Sequence, residues 1–456
     1  MKNEAINNAK EKIIAYRNDL EEFLKIASIS TDPSHKTDIE KAAIWLMDYL
    51  SKIGMSNAKM IKTKGHPCVY AEYRSAQENA KTVLIYGHYD VQPSDPLDKW
   101  LTDPFEPTID SDNLYCRGAS DMKGQIMASV FAVDALLSQE DPPVNIKFIL
   151  EGEEEIGSPN LETVLSLNKD LLKADVVLNP DAGMLSPDLP TITYGLRGLA
   201  YFELIVKGPK KDLHSGSYGG IVHNPAQAVC EIIAEMHDKK GKITIPGFYD
   251  NIQKLEESER NILSKLPVNE NNLRKETGVK ILWGDNKFTP IERICARPTL
   301  EINGLYSGFI DEGAKTIIPS YAMAKISTRL VPDQTPDKIH TLLEQFVQDR
   351  MPDSVEWELI RLSGSPPSIT DLGIPAVTAL SEAFLEIWGR HPTFTRSGGT
   401  IPVVLSMQDI LGIESVLTGF GLPDDNIHGP NEKLHLPTWE KGIYTLITFF
   451  YNYASS

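Results

Sequence analysis

The feature that most constrains this chain is a set of short apolar runs, each ending in a histidine or a carboxylate. Val83-Leu84-Ile85-Tyr86 leads into Gly87-His88-Tyr89-Asp90, and Ile146 to Leu150 leads into Glu151, Glu153, Glu154 and Glu155. Val176-Val177-Leu178 runs toward Asp181, and Val416-Leu417 leads to a loop carrying His428. Asp121 stands just before an apolar helical stretch, Ile126 to Leu137. A continuous apolar run reads as a buried strand. An open α/β sheet places its chemistry where such strands end. Two histidines and several carboxylates at element ends therefore predict one metal site assembled from distant segments.

With 456 residues the chain is long enough for two domains. The helical readings are 11–27 and 38–54, the second closed by Gly54. Strands and helices then alternate to about residue 196, which implies an α/β sheet with helices on both faces. After Arg197 the texture changes. Tyr201–Val206 reads as a strand, Asn224–Asp238 as a helix, Pro298–Ile302 and Tyr321–Leu330 as strands, Thr335–Met351 as a helix and Val355–Leu362 as a strand. That order is the split βαβ, ferredoxin-like pattern, with 239–297 inserted in it. Gly364 to Pro367 reads as a hinge, and from Pro375 the first texture resumes. The predicted domains are a catalytic domain over 1–196 and 371–456, interrupted by a ferredoxin-like α+β domain over 197–370.

A formal charge of -18 argues against nucleic acid and anionic membrane surfaces as partners. No apolar run approaches the length of a membrane helix, and the charged, amphipathic N-terminus does not read as a signal peptide. Four cysteines without CxxC pairing read as free thiols in a reducing compartment, so the expected location is cytoplasmic.

Each candidate residue has an ordinary reading too. His88 alone is a polar residue after a strand, but Asp90, two residues on, could orient its ring. Asp121 suits a helix cap. Asp181 and His428 suit turns. The glutamates after Leu150 could be a solvated acidic loop, yet several carboxylates crowded at one strand end repel one another unless cations are present. Gly398-Gly399-Thr400 precedes a helical stretch, a start whose N–H groups suit an anion.

Taken together, the motifs resemble the di-zinc aminoacylase/carboxypeptidase metallopeptidases (peptidase family M20), in their carnosinase and cytosolic non-specific dipeptidase branch. The segments that carry the resemblance are Gly87 to Pro93, Arg117 to Gly124, Glu151 to Gly157, Asp212-Leu213-His214-Ser215-Gly216, Ser327 to Pro332 and His428 to Lys433. The resemblance implies a di-metal exopeptidase domain with a lid and dimerisation domain. It implies that His88 and Asp181 hold one metal, Glu155 and His428 the other, and that Asp121 bridges both, with a cis peptide to Met122. Asp90 would steer His88, and Glu154 would act as general base. Glu153 is left without a catalytic role. His214 would reach the partner subunit's active site in a homodimer and stabilise the oxyanion. Arg329 and the Gly399–Thr400 loop would hold the substrate carboxylate, Thr400 standing where this branch often has serine.

The implied cofactors are two divalent ions per subunit, Zn²⁺ or Mn²⁺. The implied reaction is hydrolysis of a dipeptide with a free C-terminal carboxylate, by a water that the metals activate and Glu154 deprotonates. Two other readings compete with it. One is an amidohydrolase of N-acylated amino acids, with the same ligands and a different pocket. The other is a non-catalytic binding protein on the same fold, against which the intact Glu154 and ligand set argue.

Overall fold

A computed structural model of the chain describes residues 1–139, 142–399 and 401–456. The chain packs as two units. Unit 1 comprises Met1–Tyr194, Thr370–Thr395 and Pro402–Ser456, and unit 2 comprises Gly195–Ile369 and Arg396–Ile401. No described helix is long and apolar enough to cross a membrane.

In unit 1 the apolar runs are neighbouring strands. Asn145–Glu151, Thr82–His88, Val176–Asn179 and Ser415–Leu417 lie side by side in that order, each pair parallel. Parallel strands bury both faces, which is why they read as unbroken apolar runs. Antiparallel strands flank them, Cys68–Tyr73 and Ser56–Ile61 on one side and Thr191–Leu196 on the other. Because the central strands are parallel, their C-terminal ends share one edge. His88, the segment from Glu151 and the residues after Asn179 are all delivered there.

The helix Lys123–Leu137 is buried on nearly every side, as befits a helix in the middle of a core. Its Phe131 stacks on Tyr16 with ring centroids 4.2 Å apart and meets Trp439 edge-on at 5.8 Å. Those rings tie in the helices Lys2–Leu24 and Leu436–Ala454. Gly87 marks a close approach. A Cβ there would lie 2.7 Å from Cγ1 of Ile126, so only glycine lets the strand that ends in His88 lie against the helix that follows Asp121.

The first helix starts earlier than its periodicity predicts, at Lys2 rather than residue 11, and ends at Leu24. Its opening turns bury Ala5, Ile6 and Ala9, of which only Ile6 is large enough to carry an amphipathic signal. The second helix spans Lys36–Lys52.

Unit 2 has the four-stranded order Thr299–Ser307, Tyr321–Leu330, Gly198–Lys207, Glu356–Ser365, antiparallel throughout. With the helices Pro225–Glu235 and Pro336–Gln348 this is the ferredoxin-like arrangement. Strand Gly198–Lys207 alternates buried and half-buried residues, the pattern of a sheet with one covered face. Its buried Phe202 and Leu204 pack with Ile326, Leu343 and Phe346. The 239–297 insertion carries three helices, Glu257–Leu263, Glu270–Thr277 and Pro290–Cys295.

The expected hinge at Gly364 to Pro367 is corrected in part. Gly364 and Ser365 end the strand Glu356–Ser365 and pair with Ala200 and Leu199. A Cβ on Gly364 would meet Cβ of Pro336 at 2.8 Å. This glycine serves close packing against a helix start and not flexibility.

Candidate metal centre

His88 is the last residue of its strand and is almost completely buried. Its Nδ1 donates to the backbone carbonyl of Asp90 at 3.1 Å, which turns Nε2 toward Oδ1 of Asp121, 3.2 Å away. Fixing the ring through the far nitrogen is how ligand histidines are oriented. The Asp90 carboxylate also faces that ring, its Oδ1 3.5 Å from Nδ1 of His88, and has a second task. Its Oδ1 and Oδ2 accept the backbone N–H groups of Glu154 and Glu155 at 3.2 and 3.1 Å. Asp90 thus fixes the 3₁₀ turn Glu154–Ile156, which Gly157 closes with φ +86°. Glu153 is turned aside, its carboxylate accepting the His66 N–H at 3.0 Å and the Asn160 amide at 2.8 Å.

Asp121 is held from behind. Its peptide to Met122 is cis, as the resemblance implies. Its backbone N–H and that of Ser120 both donate to Oε1 of Glu432 at 3.0 Å, while Gly118 N–H and Arg117 Nη1 reach Oε2 at 2.9 and 2.7 Å. Glu432 and Arg117 are both buried. The two motifs Arg117 to Gly124 and His428 to Lys433 therefore meet in space, and Glu432 joins them. Sequence reading assigns Glu432 and Arg117 no role, because a buried ion pair leaves no periodicity to detect. Gln92 escapes it as well; its Nε2 donates to Oε2 of Glu155 at 2.7 Å.

The carboxylate of Asp121 faces two histidines, with Oδ2 2.9 Å from Nε2 of His428. His428 sits in a loop with φ +62° and is half exposed; its Nε2 also lies 3.4 Å from Oε2 of Glu155. Two trios result, His88–Asp121–Asp181 and Asp121–Glu155–His428, each with its potential ligand atoms within 4.8 Å of one another. Asp121 belongs to both.

The electrostatics show what this cluster lacks. Burial pushes the Glu155 carboxyl up to about 8, with the charge of Asp121 adding to it. Burial also pushes Asp181 up to about 7 and raises Glu154. Asp121 goes the other way. Burial disfavours its charge, but hydrogen bonds with His428 and His88 hold it well below the ordinary carboxylate range. That bond to Asp121 is the main reason His428 rises to about 9. Burial opposes a charged His88, yet its bonds to Asp121 and Asp90 raise it. Carboxyls driven toward protonation around imidazoles driven toward charge mark a cluster short of positive charge. Divalent cations supply it, and imidazoles with carboxylates are donors that suit such ions. The residues present fit a metal pair.

Unit 2 holds the remaining candidates. His214 is exposed at the start of a short helix, Ser215–Tyr218, and its Nδ1 accepts the Gly216 N–H at 3.0 Å. Arg329 lies at the end of its strand opposite Thr299 and Leu199, and burial lowers its pKa. Gly399 donates its N–H to Oγ of Ser397 at 3.1 Å, and the preceding Gly398 carbonyl accepts from Nε of Arg197 at 3.0 Å. Thr400 lies outside the described residues.

Comparison with known proteins adds independent findings. Residues 84–452 match the model of peptidase family M20/M25/M40. The chain is 32% identical over 459 residues to the Cys-Gly metallodipeptidase DUG1 of Candida albicans, covering 96% of this chain and 94% of the relative. It is 34% identical over 394 residues to the human Beta-Ala-His dipeptidase, covering 85% and 78%. Among solved structures, the M20 family metallo-carboxypeptidase Sso-CP2 from Sulfolobus solfataricus is 37% identical with a TM-score of 0.86, over 97% of this chain and 99% of the other.

Proposed function

This chain belongs to peptidase family M20/M25/M40 and is a metallopeptidase, and from that premise we propose that it is a two-metal dipeptidase acting on dipeptides with a free C-terminal carboxylate. The observation that carries the reading is the pair of ligand trios sharing Asp121, with Glu154 on the turn that Asp90 fixes. The names of the relatives support the substrate class, since these act on Cys-Gly and Beta-Ala-His.

In this reading His88 and Asp181 hold one ion, Glu155 and His428 the other, and Asp121 both. Zn²⁺ or Mn²⁺ suits these donors. When bound there, the ions supply Lewis acidity, lowering the pKa of a water and polarising a carbonyl oxygen. The protein groups do the rest. Asp90 and Glu432 hold the two ligand-bearing loops in place. Glu154 takes the proton of the attacking water at its carboxylate and passes it to the leaving amine nitrogen. Burial raises its pKa above the ordinary glutamate value, the direction that helps a carboxyl pass its proton on. With Nδ1 of His214 accepting from Gly216, a neutral ring carries its proton on Nε2. That N–H is a donor for the oxyanion, offered across a homodimer to the partner's site. Arg329, with the loop at Gly399 and Thr400, binds the substrate carboxylate as a charge-assisted clamp. Residues 197–370 are then the lid and dimerisation domain, and the enzyme works in the cytoplasm.

A second reading has a specific observation behind it. The 37% identity to Sso-CP2 favours a carboxypeptidase that trims longer peptides. A panel of dipeptides, tripeptides, longer peptides and N-acetylated amino acids, assayed with Zn²⁺ and with Mn²⁺, separates the readings. The dipeptidase reading requires a sharp preference for unblocked dipeptides. Faster release of single residues from longer peptides would select the carboxypeptidase, and preference for acetylated amino acids would select an N-acyl amidohydrolase.

A further inference from the structure

Apart from the metal centre, unit 2 contains a cavity of about 120 Å³ lined by the insertion and by the edge strand Thr299–Ser307. Its size is of the order of engineered cavities that admit a benzene-sized guest. Tyr249, Phe288 and Trp283 give it aromatic walls. Arg297 shares that wall, its guanidinium carbon 4.2 Å from the ring centroid of Phe288 and 5.3 Å from that of Tyr249.

Nearby arginines are satisfied by the fold. Arg293 donates to the Trp283 carbonyl at 2.9 Å, and Arg197 donates to the carbonyls of Gly398 and Arg297. The Arg297 guanidinium differs, making no hydrogen bond or ion pair with any described residue. Burial lowers its pKa from the usual arginine range. A guanidinium offers five donors in a fork that matches a carboxylate, and stacking on two rings holds this fork rigid. Glu301, on the same wall, is exposed and makes no hydrogen bond or ion pair with a described residue, although the charge of Arg197 bears on it, as those of Asp285 and Glu292 bear on Arg297. A cationic fork stacked on two rings, an exposed carboxylate that makes no hydrogen bond and aromatic walls around one small space are complementary to a zwitterion with an apolar side chain.

We propose that this cavity binds a free α-amino acid with an apolar side chain, its carboxylate on Arg297, its ammonium toward Glu301 and its side chain against Tyr249 and Phe288. This site does not depend on the proposed reaction, because the binding is read directly and without turnover.

Isothermal titration of the metal-loaded full-length protein with L-leucine, N-acetyl-L-leucine and 3-methylbutylamine tests it. Leucine should bind saturably. Removing a charge-assisted contact should weaken binding by roughly tenfold to hundredfold, so Arg297→Ala and the amine, which lacks the carboxylate, should each show that loss. Glu301→Gln should weaken leucine while leaving the already weakened N-acetyl-leucine unchanged. Leucine bound at the metal centre would persist in Arg297→Ala and is told apart in that way. If Arg297→Ala does not fold, as judged by circular dichroism, Arg297→Lys keeps the charge without the fork and should show the same weakening. No saturable binding of leucine at millimolar concentration, or identical binding by wild type and the Arg297 variant, overturns the proposal.

Discussion

Arg117 and Glu432 form an ion pair of 2.7 Å in which the side chains are 1% and 0% exposed. The pair sits directly behind Asp121, and Glu432 also receives the N–H groups of Gly118, Ser120 and Asp121. Removing one partner of such a pair leaves an uncompensated buried charge, at a cost of about 3–5 kcal/mol. Glu432→Ala should therefore lower the unfolding free energy by about that amount and weaken metal binding, although Glu432 is not in either ligand trio. Urea unfolding and metal titration check this. An unchanged urea midpoint would show that the pair does not brace the loop.

Much of this arrangement is legible in the amino-acid sequence. Runs such as Val83 to Tyr86 announce parallel strands because burial on both faces removes the polar positions, and a histidine or carboxylate at their ends then falls on one sheet edge. The order of elements after Arg197 is enough for the ferredoxin-like unit. What stays hidden has physical reasons too. The opening turns of the first helix rest on Ala5, Ile6 and Ala9, and one large residue between two alanines is too little to mark a face. Gly364 reads as a hinge because a glycine that permits close packing looks the same in sequence as one that permits bending. Glu432, Gln92 and the capping of Glu154 and Glu155 by Asp90 are contacts between segments far apart in the chain. No local pattern encodes them.

Glu154 and Glu155 are adjacent but should behave differently. Glu155 belongs to a ligand trio, and Glu154 does not. Glu154→Gln should keep both metals and lower kcat by about 10²-fold or more, the contribution of a positioned base. Glu155→Gln should lose metal. Metal content by atomic emission, measured beside turnover, separates the two, and near-normal turnover in Glu154→Gln would remove it as the base.

Glu151 offers a test by pH. Burial pushes its carboxyl up to about 8 even though Tyr86 and Ser158 donate to it. In the unfolded chain it titrates near the ordinary glutamate value, about 4.3. Between these limits the folded state holds a proton that the unfolded state has lost. Its stabilising contribution is thus complete below the unfolded pKa and disappears as pH rises through about 8. Within that window one such group changes the folding equilibrium by about tenfold per pH unit. Glu151→Gln removes the titration, so its stability relative to wild type should rise with pH. Parallel denaturation curves for the two proteins from pH 5 to pH 8 (both values chosen to lie roughly inside the window), with a constant gap between them, would contradict the assignment.

The carboxylate clamp predicts exopeptidase specificity. Amidating the C-terminus of a good dipeptide removes a charge-assisted contact worth about 1.5–3 kcal/mol. The loss in kcat/KM should be roughly tenfold to hundredfold, and Arg329→Ala should lose most of the discrimination between free and amidated substrate. Equal hydrolysis of both by the wild-type enzyme would count against the clamp.

The last prediction concerns His214, exposed in unit 2 with Nδ1 taken by Gly216. If a two-fold dimer lends this residue to its partner, each active site draws its metals and Glu154 from one chain and His214 from the other. His214→Ala and Glu154→Gln should then be nearly inactive when each is assayed alone. In a mixed dimer the chain with His214→Ala keeps its own Glu154 and receives an intact His214 from its partner, so one site of the two is complete. Random exchange makes about half of the dimers mixed, so activity should approach roughly a quarter of wild type from isologous geometry alone. Exchange is verified by native mass spectrometry of mass-tagged subunits. Absence of rescue despite verified exchange would place the action of His214 within its own chain, or remove it from catalysis.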